Sequence, residues 1–149
     1  LTEQLKIVDA LSRGLHHEQI DRLVALHNGY RAMHGIGALA VHQTLMASAQ
    51  AKVDDVVATG LFAHGHRDGR RSSGYVLDLG YDFTEFAENM SRKAWTIDDA
   101  FNGLTKSPGH RVNILRPMEH IGVGMSQLDG EAYVAVHYGR LTARSKDVN

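Results

Sequence analysis

The 149-residue chain contains no cysteine. Disulfide cross-links and thiolate chemistry are therefore excluded, although an oxidising compartment is not. There is no excess of charge of one sign either: sixteen Lys and Arg against seventeen Asp and Glu leave a net charge of −1. A nucleic-acid surface needs clustered positive charge, so nucleic acid is not an expected partner. No run approaches the roughly eighteen apolar residues of a membrane-spanning helix. Internal repeats, linkers, low-complexity stretches and the G-x-S-x-G elbow of serine hydrolases are also missing. The chain opens at Leu1 without a basic segment leading into an apolar one. That start fits either a removed targeting segment or a trimmed chain.

What is there is a globular composition, 43% hydrophobic and 22% charged, in a length that suits one domain with a sizeable core. Ten histidines stand out. Histidine supplies metal ligands and acid/base groups, but a spread-out set carries weight only where it falls in a motif. His27, His42, His120 and His137 are expected at the surface or the core edge, with His137 on the strand face opposite Val134 and Val136.

Periodicity predicts the elements. "TEQLKIVDALSR" (2–13) reads as a short helix capped by Thr2 and stopped by Gly14, lying against the main body. A stronger helix follows over 17–34. Residues 42–60 form the clearest amphipathic helix: Leu45, Ala49, Val53, Val56 and Val57 make one face, with Gln50, Lys52, Asp54 and Asp55 mostly away from it. A turn or two of helix is expected over 72–79, an extended piece over 86–90, and a helix over 96–106 capped by Thr96. The end of the chain changes period. "HIGVGMS" and "AYVAVHYG" alternate, and the Asp-Gly between them signals a hairpin. The polar tail, 141–149, is expected to fray.

Several motifs lie in order along this frame. "LHNGYRAMHGIGAL" carries Asn28 and Arg31, "LMASAQAKVDDVVATGLFAH" ends in Gly-x-Phe-x-His, and "AEN" follows a Gly-Tyr pair. Then come "SPGHRVNIL", "HIGVGM" and "AYVAVHYG". Together they resemble the CAP superfamily, or SCP domain, of cysteine-rich secretory, antigen 5 and pathogenesis-related 1 proteins, in its bacterial branch. The resemblance covers roughly residues 20–140. It divides the chain into an N-terminal helical extension (1–16), the domain (17–140) and the tail (141–149). It implies an α+β fold, a three-layer α-β-α sandwich around a small antiparallel sheet. A helical bundle with one appended hairpin fits the periodicity about as well and the motifs less well.

The resemblance also implies a site. The family's cleft carries two histidines and two acids, and the histidines bind a divalent metal. The matching positions are His64, Glu88 and His110. The family's second acid, just ahead of the second histidine, has no match in "GLTKSPG", and Asp98 and Asp99 lie too far upstream. Weak Zn²⁺ binding through His64 and His110 is the implied cofactor chemistry, with Glu88 as ligand, second-shell partner or proton acceptor. His66 competes with His64 for the cleft. Asn89, Asn28 and Arg31 are read as structural residues near the site.

The expected function is an exported binding module, extracellular, periplasmic or at the cell surface, taking a small molecule, lipid, polymer or protein in its cleft. One alternative is a metal- or His/Glu-dependent hydrolase of peptide or cell-wall material, with Glu88 and His110 catalytic and Ser107 a weak nucleophile candidate. Another is a purely structural or interaction domain. The missing second acid favours binding over catalysis.

Overall fold

The computed structural model describes residues 2–148, with side chains described for all of these except 8–15 and 146–148. A single helix, α1 (Glu3–Met33), replaces the two expected at the N-terminus. Thr2 caps it as expected, but Gly14 does not stop it. A glycine inside a helix costs only about 1 kcal/mol relative to alanine, and the helical residues that follow, 15–33, outweigh that. The chain leaves α1 at Gly35, whose φ of +70° is the left-handed conformation glycine tolerates. Leu5 and Ile7 are exposed; the other apolar positions expected to pack the first helix, Val8, Leu11 and Leu15, lie outside the described side chains.

α2 (Gln43–Thr59) follows a two-residue strand, β1 (Ala40–Val41), and closes on left-handed Gly60. Its apolar face is buried, but Lys52 and Asp55 are buried with it. This corrects the expected polar face: Ser48 and Lys52 stand on the stripe of Leu45, Ala49 and Val56. α3 (Ser72–Asp78), α4 (Ile97–Lys106, capped by Thr96) and α5 (Pro108–Leu115) complete the main helices. Pro108 sits in the first turn of α5, where its missing N–H costs nothing. "SPGHRVNIL" is thus the N-cap and the whole of a helix.

β2 (Phe83–Ala94), β3 (His120–Leu128) and β4 (Glu131–Leu141) join β1 in one sheet, ordered β1-β3-β4-β2. β1 runs parallel to β3, and the other pairs are antiparallel. The expected 86–90 segment is therefore the middle of a twelve-residue edge strand. The ordered elements do not end at 140: Leu141 closes β4, and α6 (Ala143–Val148) follows, with Thr142 and Ser145 hydroxyls donating to Asp82.

Helices cover both faces of the sheet. Ile121, Val123, Met125, Val134, Val136 and Tyr138 point to α1, α4 and α5, meeting Leu23, Ile97, Phe101, Leu104 and Ile114. The opposite face holds α2 and α3 against Ala135, Met90 and Tyr81. The fold is a mixed α+β sandwich, as expected.

The small residues of "HIGVGM" explain how closely α2 lies. A Cβ on Gly122 would be driven into the backbone of Leu45, and one on Gly124 into that of Ala49. Backbone cannot yield as a flexible side chain can. Gly122→Ala or Gly124→Ala should therefore cost at least about 1–3 kcal/mol in denaturant unfolding. Gly103→Ala, which meets only open space on α4, should be neutral or stabilising. Equal effects at positions 103 and 122 would contradict this packing.

Candidate functional site

Glu88 lies mid-way along β2, directly opposite His137 of β4. Cross-strand partners share a face, and this face looks toward α2 and α3. The Glu88 carboxylate is almost wholly covered, with its side chain 4% exposed. Its Oε2 accepts from His137 Nε2 at 2.6 Å and from Ser72 Oγ, in the first turn of α3, at 2.5 Å. Its Oε1 accepts from His64 Nδ1 at 2.8 Å. Burial pushes the Glu88 carboxyl up, but these bonds and the charge of His137 outweigh it and hold the group below its ordinary value.

A second layer backs this carboxylate. Ser48 Oγ of α2 lies 2.6 Å from His137 Nδ1 and 3.1 Å from the Leu45 carbonyl. A neutral His137 accepts from the Ser48 hydroxyl at Nδ1; a protonated one donates to Ser48, which then donates to Leu45. Both ring states are satisfied in the dark. Lys52 donates to the Gly65 carbonyl at 2.6 Å and so ties the His64 loop to α2. Burial pushes its ammonium pKa down, against the pull of Glu88 and Asp55. His66 is buried, stacked on Tyr75, with Nε2 3.3 Å from Ser72 Oγ. It backs Ser72 from inside, whereas His64, half exposed, faces solvent.

Asn89 points to the other side of the sheet. Its amide nitrogen donates to the His110 carbonyl (3.0 Å) and to Tyr138 Oη (3.1 Å), and Asn113 Nδ2 donates to its Oδ1 at 2.8 Å. Tyr138 in turn donates to His27 Nε2 at 2.7 Å, because His27 Nδ1 is committed to the Leu23 carbonyl at 2.8 Å. Arg31, 1% exposed, donates to the carbonyls of Gly37, Ile114 and Arg116, fixing the end of α5. Asn28 makes two bonds to the backbone of Leu39.

A cleft of about 280 Å³ opens at the β2 edge, lined by His64, Arg71, Ser72, Ser73, Phe86, Ala87, Glu88, Asn113 and Arg116. The structure brings His64 and Glu88 together there. His110, on the first turn of α5, is half-buried and offers its carbonyl to Asn89; its ring makes no hydrogen bond or ion pair among the described residues. Ser107 caps α5 without a side-chain bond. Asp98 pairs with Arg22 on the outer surface. Among the described residues, no three His, Asp or Glu side chains are grouped to hold a metal ion. With both Glu88 oxygens engaged, the remaining donors are His64 Nε2 and the His110 ring. That set does not fit a tightly held ion.

Two histidines correct the sequence reading. His27 and His137, expected at the surface or core edge, are both fully buried. His137 carried one signal, its place on the strand face opposite Val134 and Val136. Its partner emerges only from the β2–β4 register.

The sequence matches the cysteine-rich secretory protein (CAP) family over residues 24–138. The chain belongs to the CAP family. It is 31% identical over 104 residues to the uncharacterized protein YkwD of Bacillus subtilis, covering 69% of this chain and 40% of that protein. An extracellular protein containing an SCP domain from Bacillus anthracis superposes with a TM-score of 0.76 at 22% identity, over 83% of this chain and 41% of that one. This CAP chain thus spans about 40% of the length of both relatives. An outer surface protein from Borrelia burgdorferi superposes with a TM-score of 0.78 at 16% identity, over 84% of this chain and 94% of that one. At these identities the superpositions speak for the shared fold.

The His27 network sets a pH dependence. Burial, aided by the Arg31 charge and opposed by the bond to Leu23, pushes the His27 pKa down from 6.5 to about 4. The unfolded chain takes up this proton near 6.5, so stability is fully present above that pH and is lost as pH falls toward 4. The loss amounts to about 3 kcal/mol. His27→Gln should remove it, flattening the stability profile between pH 6.5 and 4 relative to wild type. Parallel profiles would contradict the neutral, Tyr138-bonded ring.

Proposed function

We propose that this CAP domain is an exported binding module whose cleft receives a small molecule, lipid, polymer or protein partner. The observation that carries the reading is the state of Glu88. Its two oxygens accept three hydrogen bonds from His64, Ser72 and His137. A general base needs a lone pair within reach of a substrate or water, and three of the roughly four acceptor sites of this carboxylate are already taken. Ser48, His137 and Glu88 stand in the order of a serine–histidine–acid relay, yet Ser48 is fully buried and no substrate reaches it. Export is supported by relatives described as extracellular and outer-surface proteins. No helix among the described residues is long and apolar enough to cross a membrane.

Zinc enters this reading as a weakly held occupant of His64 and His110. Supporting the cleft residues is the role of Glu88, not proton transfer.

The test is turnover of peptide, ester and peptidoglycan substrates, with and without added zinc, by wild type and a Glu88→Gln control. Indistinguishable rates are expected. A reproducible rate that disappears in both Glu88→Gln and His110→Ala, with both variants folded by circular dichroism, would replace the binding module with a hydrolase.

A further inference from the structure

The cleft has an uneven charge balance. Arg71, the residue preceding α3, and Arg116, the residue following α5, both line it, from opposite sides of the β2 edge. Neither makes an ion pair among the described residues. Arg116 commits its Nε to Asn113 Oδ1, which leaves its terminal nitrogens pointing elsewhere. Arg22, Arg67, Arg70 and Arg140 each rest on a carboxylate, whereas Arg92 stacks on Phe62 and Arg111 donates to the Thr105 carbonyl. The cleft's one acid, Glu88, has three acceptor sites taken by His64, Ser72 and His137 and makes no ion pair with either guanidinium among the described residues.

We infer that the cleft is a subsite for a phosphate-type oxyanion carried on a larger ligand. This deepens the binding-module reading and rests on it. Guanidinium forks bind oxyanions through paired N–H donors. A planar carboxylate satisfies one fork edge-on, whereas a tetrahedral phosphate offers oxygens to two forks that approach from different sides. The volume of about 280 Å³ exceeds that of a lone phosphate by several water volumes, about 30 Å³ each, so it leaves room for the group that carries it. Phe86, also in the lining, gives that group an apolar surface.

Amide-resolved NMR titration with inorganic phosphate, glycerol 1-phosphate and acetate tests the inference. Phosphate and glycerol phosphate should give saturable shifts at residues 71–73, 113 and 116, the ester the tighter of the two, and acetate should give markedly weaker ones. Arg71→Gln and Arg116→Gln should each weaken phosphate binding by at least about fivefold, as expected for loss of a charge-assisted pair. Arg92→Gln, which removes a guanidinium stacked on Phe62 away from the cleft, should leave binding unchanged. The spectra themselves report whether each variant is folded. Absence of saturable shifts at the cleft, acetate binding as well as phosphate, or equal weakening by Arg92→Gln would each overturn the subsite. A flat titration would leave the binding-module reading standing, whereas turnover dependent on Glu88 would sink that reading and not the phosphate shifts.

Discussion

A carboxylate taken out of water must be met by donors or it will not stay ionised, and this constraint organises the centre of the molecule. Glu88 is buried in the middle of an edge strand, where solvation is lost. Three different parts of the chain answer it: β4 through His137, α3 through Ser72 and the loop after α2 through His64. Each donor is itself held. Ser48 orients His137, His66 stands behind Ser72, and Lys52 anchors the His64 loop through Gly65. The cleft wall is tied together through its one acid.

The adjacent residue does the same for the opposite face. Asn89 connects the start of α5, Asn113 and Tyr138, and through Tyr138 reaches His27 on α1. A strand alternates its faces, so the pair Glu88–Asn89 fastens helices on both sides of the sheet at one level. The direct seating of α2 on Gly122 and Gly124 then sets the depth at which Ser48 and Lys52 meet this centre. In this way the packing of a helix and the electrostatics of a cleft become one problem.

How much of this the sequence disclosed follows from physical differences among the segments. The β3–β4 hairpin was legible because one face alternates cleanly and Asp-Gly marks its turn. β2 was largely hidden: its burial follows no simple alternation, since helices cover parts of both faces. Gly14 reads as a stop on local propensity alone, which the length of helix on either side of it overrides. Charge alone points Lys52 outward, although its spacing from Leu45 and Ser48 places it on the buried stripe. The fold and the candidacy of His64 and Glu88 came from the resemblance of ordered motifs, and the family match bears out the fold. His137 was beyond reach, because its role depends on a strand register that no local pattern specifies.

The central claim is that Glu88 and His137 form a coupled buried pair on which the cleft depends. A double-mutant cycle measures that coupling most directly, using denaturant unfolding of wild type, Glu88→Ala, His137→Ala and the double variant. Each single change strands its partner in a dry environment, so the double variant should be less destabilised than the sum of the two, by at least about 1 kcal/mol. Losses that simply add would contradict the account.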